Sequence, residues 1–92
     1  MNKYNNEPKK EFPSVKEIYN RLKNADSLKI EQFGVLIEDT LNVLNLDNKT
    51  MSEEFGISVL TVQRWRTGRS LPNPINRRMV YEWLENLVKA KL

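Results

Sequence analysis

Apolar side chains recur along this 92-residue chain at helical spacing, and no stretch alternates with the period of two that a half-buried strand requires. Val15, Ile18, Tyr19 and Leu22 fall at i, i+3, i+4 and i+7, which predicts a short amphipathic helix over 15–24. Ser14 and Glu17 have the spacing of a capping box at its start. Leu28, Ile30, Phe33, Leu36, Ile37, Leu41 and Leu44 predict a second helix over 28–44, with Ser27 as its cap. Gly34 inside that helix costs about 1 kcal/mol against alanine, and marks a close helix crossing. After Pro74, the run Ile75, Met79, Val80, Trp83, Leu84, Leu87 and Val88 predicts a long final helix reaching the C-terminus. Tyr81 lies off the centre of its stripe.

Between these helices, residues 47–72 carry denser punctuation. Asp47 occupies a capping position, and Met51 and Phe55 share one helical face. Gly56 follows at once, where a chain leaving a helix needs positive φ. Ser58 caps a second short helix, whose Val62 and Trp65 face back toward Met51, Phe55 and Ile57. Gly68 ends it and Pro72 prevents it from restarting. Two short helices joined by a glycine turn, with a shared apolar inner face, describe a helix-turn-helix over about 47–68.

Ser52, Gly56, Ile57, Ser58 and Val62, followed by Gly68 and Pro72, resemble the helix-turn-helix of phage repressor and Cro-type (XRE-like) regulators. Ser52 stands where alanine is usual in that family, and serine is still small enough for two helices to cross. The resemblance implies that the second motif helix lies in the major groove while the first crosses the backbone. It places base contacts at Ser58, Val59, Leu60 and Arg64. Removing the inward Val62 and Trp65 leaves Val59, Leu60, Gln63, Arg64 and Thr67 on the outside, so Gln63 joins the base-reading set. Val59 and Leu60 depart from the polar residues common there; they suit thymine methyl groups, or else burial against another helix. The resemblance also implies phosphate contacts at Asn48, Thr67 and Arg69. Arg66, Arg77 and Arg78 are further phosphate candidates, as exposed arginines of a basic domain.

Charge sharpens this picture. Residues 1–46 hold seven basic and seven acidic side chains, whereas residues 58–78 hold five arginines and no acid. A basic zone on the reading helix and the loop after it suits a polyanion. The chain has no cysteine and no histidine, so disulfides, thiolate metal sites and the commonest general base are all excluded. Adjacent Glu38 and Asp39 do not face each other on a helix and read as a solvated face. No enzyme, cofactor or metal site is expected. Neither a signal peptide nor a membrane span is legible, which points to the cytoplasm, in the bacterial nucleoid or a phage-infected cell.

The expected architecture is all-α, with about five helices in one domain over 14–92 and a flexible tail over 1–13. Lys3, Lys9 and Lys10 in that tail suit either an arm along DNA phosphates or a plain disordered leader. The added N-terminal helix either packs on the domain or offers a partner surface. The expected function is a sequence-specific regulator of double-stranded DNA, a repressor by resemblance, pairing as a homodimer through the final helix. Two alternatives stand beside it: an antitoxin that represses its own operon and also grips a toxin, and an adaptor that kept the fold without DNA binding. Trp83 and Leu87 are the first candidates for the pairing surface, unless the helix around Ile18 and Leu22 covers it.

Overall fold

A computed structural model describes residues 13–92, and among them the architecture is all-helical, with no strand. Of the tail expected over 1–13, residues 1–12 lie outside the described residues. Five helices follow in order: α1 (Val15–Lys23), α2 (Phe33–Leu44), α3 (Asn48–Phe55), α4 (Val59–Arg66) and α5 (Pro74–Lys89). None is long and apolar enough to cross a membrane.

Local chemistry sets most of the boundaries. Ser14 and Glu17 close the capping box on α1, and Asp47, Ser58 and Asn73 each accept a backbone N–H at the start of α3, α4 and α5. Pro74 occupies the first turn of α5, where its missing N–H costs nothing. At the other ends Asn45, Gly56 and Gly68 take φ of 55°, 62° and 75°. Each lets the next N–H reach back over the turn: Leu46 to Leu41 O, Ile57 to Ser52 O, Arg69 to Arg64 O.

One boundary differs from the sequence expectation. α2 starts at Phe33 rather than Leu28, because Asp26 captures the intervening backbone. Its Oδ1 accepts from the Leu28 N–H at 2.9 Å and its carbonyl accepts from the Lys29 N–H at 3.0 Å. An aspartate that bonds the backbone two residues on favours a turn over a helix. Leu28 and Ile30 are consequently exposed, and Ser27 caps nothing; its carbonyl accepts from Arg77 instead.

The core is built around α2. Phe33, Leu36, Ile37 and Leu41 are all buried, and Phe33 meets Trp65 and Tyr81 edge-on, with ring centroids 5.8 and 5.6 Å away. That geometry is the favourable one for aromatic pairs, and it ties α4 and α5 to α2. α1 lays Ile18 and Leu22 against the domain, contacting α5 and α2, so it is part of the core and not a free surface. On α5 the inward row is Val80, Leu84 and Val88 together with Tyr81. Tyr81 is only 4% exposed, which corrects its expected place at the stripe's edge. Ser52 is buried where helices α3 and α4 meet, and its hydroxyl donates back to Lys49 O at 2.8 Å. The substitution for alanine therefore leaves no unsatisfied group.

Candidate nucleic-acid interface

Helix α4 divides its residues by face. Val62 and Trp65 are buried, while Val59 and Leu60 are 49% and 56% exposed and Gln63, Arg64 and Thr67 are exposed beside them. The alternative that Val59 and Leu60 pack against another helix is thereby removed. Leu60, Gln63, Arg64, Thr67 and Arg69 line one open depression of about 360 Å³. Three base-reading candidates and two phosphate candidates thus share one patch.

The hydrogen-bonding state of each candidate differs. Ser58 Oγ accepts from the Thr61 N–H at 3.0 Å and pairs with the Thr61 hydroxyl at 2.8 Å, so it works first as the cap of α4. Thr67 donates its hydroxyl proton to Gln63 O at 3.0 Å and Arg64 O at 3.3 Å, closing the helix end. Among the described residues, no ion pair or side-chain hydrogen bond holds Arg64 or Arg69. Their charge is available to a ligand.

The other three arginines are placed differently. Arg66 lies at 14% side-chain exposure, with Nε 2.6 Å from Glu38 Oε1 and Nη1 donating to Asn48 Oδ1 at 2.7 Å. This corrects two expectations at once: Arg66 is not an exposed cation, and Glu38 is not on a purely solvated face. Asp39 likewise pairs with Arg21 at 2.9 Å. Arg77 is 6% exposed, its guanidinium donating to Ser27 O at 2.7 Å and Pro72 O at 2.6 Å. It ties together the loop before α2 and the loop before α5 and does not meet solvent. Arg78 is exposed but stands 3.7 Å from Glu82, in a groove with Lys23 and Tyr81 between α1 and α5. It is apart from the α4 patch.

Sequence spacing held the signal for two of these. Arg66 is four residues after Val62, and Arg77 is three before Val80 and four before Tyr81, so each belongs to an inward row. Asn48, at the first turn of α3, was expected to touch phosphate alone. In the structure it donates Nδ2 to Gln63 Oε1 at 3.0 Å, a link between α3 and α4 across fifteen residues of sequence that no spacing rule reveals. Beside it stands Lys49, exposed and passed over by the motif. At the same turn the Asp47 carboxyl is held below its usual range, first by the Thr50 N–H and then by the Thr50 hydroxyl.

Comparison of the chain with known protein families, curated proteins and solved structures finds no match.

Proposed function

We propose that the chain is a sequence-specific regulator of double-stranded DNA that reads the major groove with α4. The observation carrying this reading is the division of α4. Val62 and Trp65 seat it on the core, while Val59, Leu60, Gln63 and Arg64 face outward with Arg64 and Arg69 unpaired. A helix held this way, preceded by a short helix across a glycine turn, can enter a groove with its outer residues against base edges. Arg64 donates to guanine O6 and N7, and Val59 and Leu60 meet thymine methyl groups. Thr67, whose hydroxyl proton is already on the α4 carbonyls, closes the helix end, while Arg69 and Asn48 beside it contact phosphate and fix the register. Asn48 retains a second amide N–H for that purpose beyond the one donated to Gln63. Resemblance to repressor-type regulators supports repression, from a homodimer on a short palindrome in the bacterial or phage-infected cytoplasm.

A second reading, in which the regulator also grips a protein such as a toxin, is favoured by Ile75 and Met79, which are 74% and 52% exposed on α5. The decisive experiment is an anisotropy titration on random duplexes. Affinity falls between about 50 and 200 mM salt by roughly tenfold to a thousandfold as basic side chains displace counterions. Absence of duplex binding at the lower salt would eliminate the DNA reading and leave the adaptor.

A further inference from the structure

Arg66 begins a chain of side-chain hydrogen bonds whose direction is fixed by chemistry. A guanidinium has donors and no acceptor. Because its Nη1 donates to Asn48 at 2.7 Å, the Asn48 amide must turn its oxygen toward Arg66. The Asn48 nitrogen therefore faces Gln63 and donates to Oε1 at 3.0 Å. Gln63 in turn keeps its oxygen on Asn48 and its NH2 group without a partner among the described residues. The usual ambiguity between the oxygen and nitrogen of an amide does not arise here, since the first member can only donate. Arg66 itself is anchored by Glu38 at 2.6 Å and reaches Asn42 Oδ1 at 3.4 Å.

We infer that this relay makes Gln63 a one-way donor, which reads a base offering a major-groove acceptor and rejects cytosine. The inference rests on the DNA-reading role proposed above for α4. Guanine offers O6 and N7, thymine O4 and adenine N7, whereas cytosine offers only its N4 amino donor. A freely rotating glutamine uses both amide atoms on adenine. One whose oxygen is held by Asn48 does not present that fork, so guanine and thymine gain over adenine. Gln63 is the reader; Arg66 and Asn48 are positioning residues.

The test is selection from random duplexes with the full chain, with Asn48→Asp and with Gln63→Glu, each preference being compared within one protein. Asn48→Asp keeps an acceptor for Arg66 and suits the first turn of a helix, so the fold is retained. Its carboxylate accepts from the Gln63 NH2 group and turns Oε1 outward. Gln63→Glu presents oxygens alone. Both variants then favour cytosine where the parent favours guanine or thymine, a change of about tenfold in relative affinity at that position. A purely structural role for Asn48 predicts weaker binding without that exchange of bases. Duplexes recovered with the parent's preferences unchanged in both variants overturn the relay and leave the DNA reading standing. Failure of the parent to recover any duplex overturns the DNA reading and the relay with it.

Discussion

Gly34 of α2 lies so close to the end of α4 that a Cβ built on it would sit 2.7 Å from the carbonyl oxygen of Trp65. The neighbour is backbone, held by the α4 turn, so it cannot swing aside as a side-chain tip would. The same Cβ would lie 3.4 Å from the Gly68 nitrogen, in the turn that carries Arg69. α2 therefore sets the seat of α4 through a glycine.

Gly34→Ala follows from that contact. Helix propensity alone favours alanine by about 1 kcal/mol. The clash wins, because forcing α4 outward loosens Trp65 against Phe33; overpacking of this kind costs roughly 1–3 kcal/mol. Urea unfolding should show a net loss of stability. A gain would mean that the two helices separate freely at this crossing.

How much of this was legible in the sequence depends on the kind of force involved. The caps at Ser14, Asp47 and Ser58, the turns at Gly56 and Gly68, and the inward Val62 and Trp65 all follow from local spacing, and the structure repeats them. Local competition spoiled the start of α2, where Asp26 wins the backbone from a run that includes Leu28 and Ile30. Arg66 and Arg77 read as surface charge by residue type, yet each stands in an inward helical row and is largely buried. The link from Asn48 to Gln63 was not legible at all, since it depends on how α3 and α4 cross.

Arg66→Ala should act on stability and leave the salt dependence alone. Removing the guanidinium takes a shared hydrogen-bond partner from the side chains of Glu38, Asn42 and Asn48, at a cost of roughly 1–3 kcal/mol for a partly buried charged group. Thermal or urea melts measure it. Were Arg66 a phosphate contact, the slope of log affinity against log salt would instead fall by about one.

Arg64→Ala and Arg69→Ala should separate. Arg64→Ala costs roughly 1–3 kcal/mol on the preferred duplex and relaxes one base position. Arg69→Ala weakens all duplexes about equally and flattens the salt slope by about one. Titrations on preferred and scrambled duplexes at several salt concentrations measure both. Unaltered base preference in Arg64→Ala would shift the reading surface to another part of α4.

Tyr81 gives a pH-dependent prediction. Its hydroxyl is buried and has no hydrogen-bond partner among the described residues, and burial raises the phenol above its ordinary range. Below pH ~10 the phenol is neutral in both folded and unfolded chains, so its contribution to stability is fully present. As pH rises further the unfolded chain ionises first, and that contribution is lost up to the folded value. Tyr81→Phe removes this alkaline loss. At neutral pH it should be neutral or stabilising by up to about 1 kcal/mol, because no bonded partner is abandoned. A clear destabilisation near pH 7 would mean that the hydroxyl does have a partner, such as a bound water.

The last prediction concerns pairing. One reading helix covers too few base pairs to single out a site in a genome, and two-fold pairing doubles the sequence read. The two rows of α5 have separated: Val80, Leu84 and Val88 face the core, while Ile75 and Met79 lie on the outer row with Trp83 and Leu87 half-buried. Trp83 meets Phe55 edge-on at 5.3 Å, so part of its surface already serves the fold. Ile75 and Met79 therefore replace Trp83 and Leu87 as the first residues to test. Burying an apolar side chain of this size contributes about 1.5–3 kcal/mol, and two-fold symmetry applies it twice. Light scattering on the parent bound to a palindrome should give two subunits, and the double variant Ile75→Lys, Met79→Lys should lower that to one while keeping a native melt. A parent that binds the palindrome with one subunit would exclude the dimer. A double variant that still pairs would move the contact to another face.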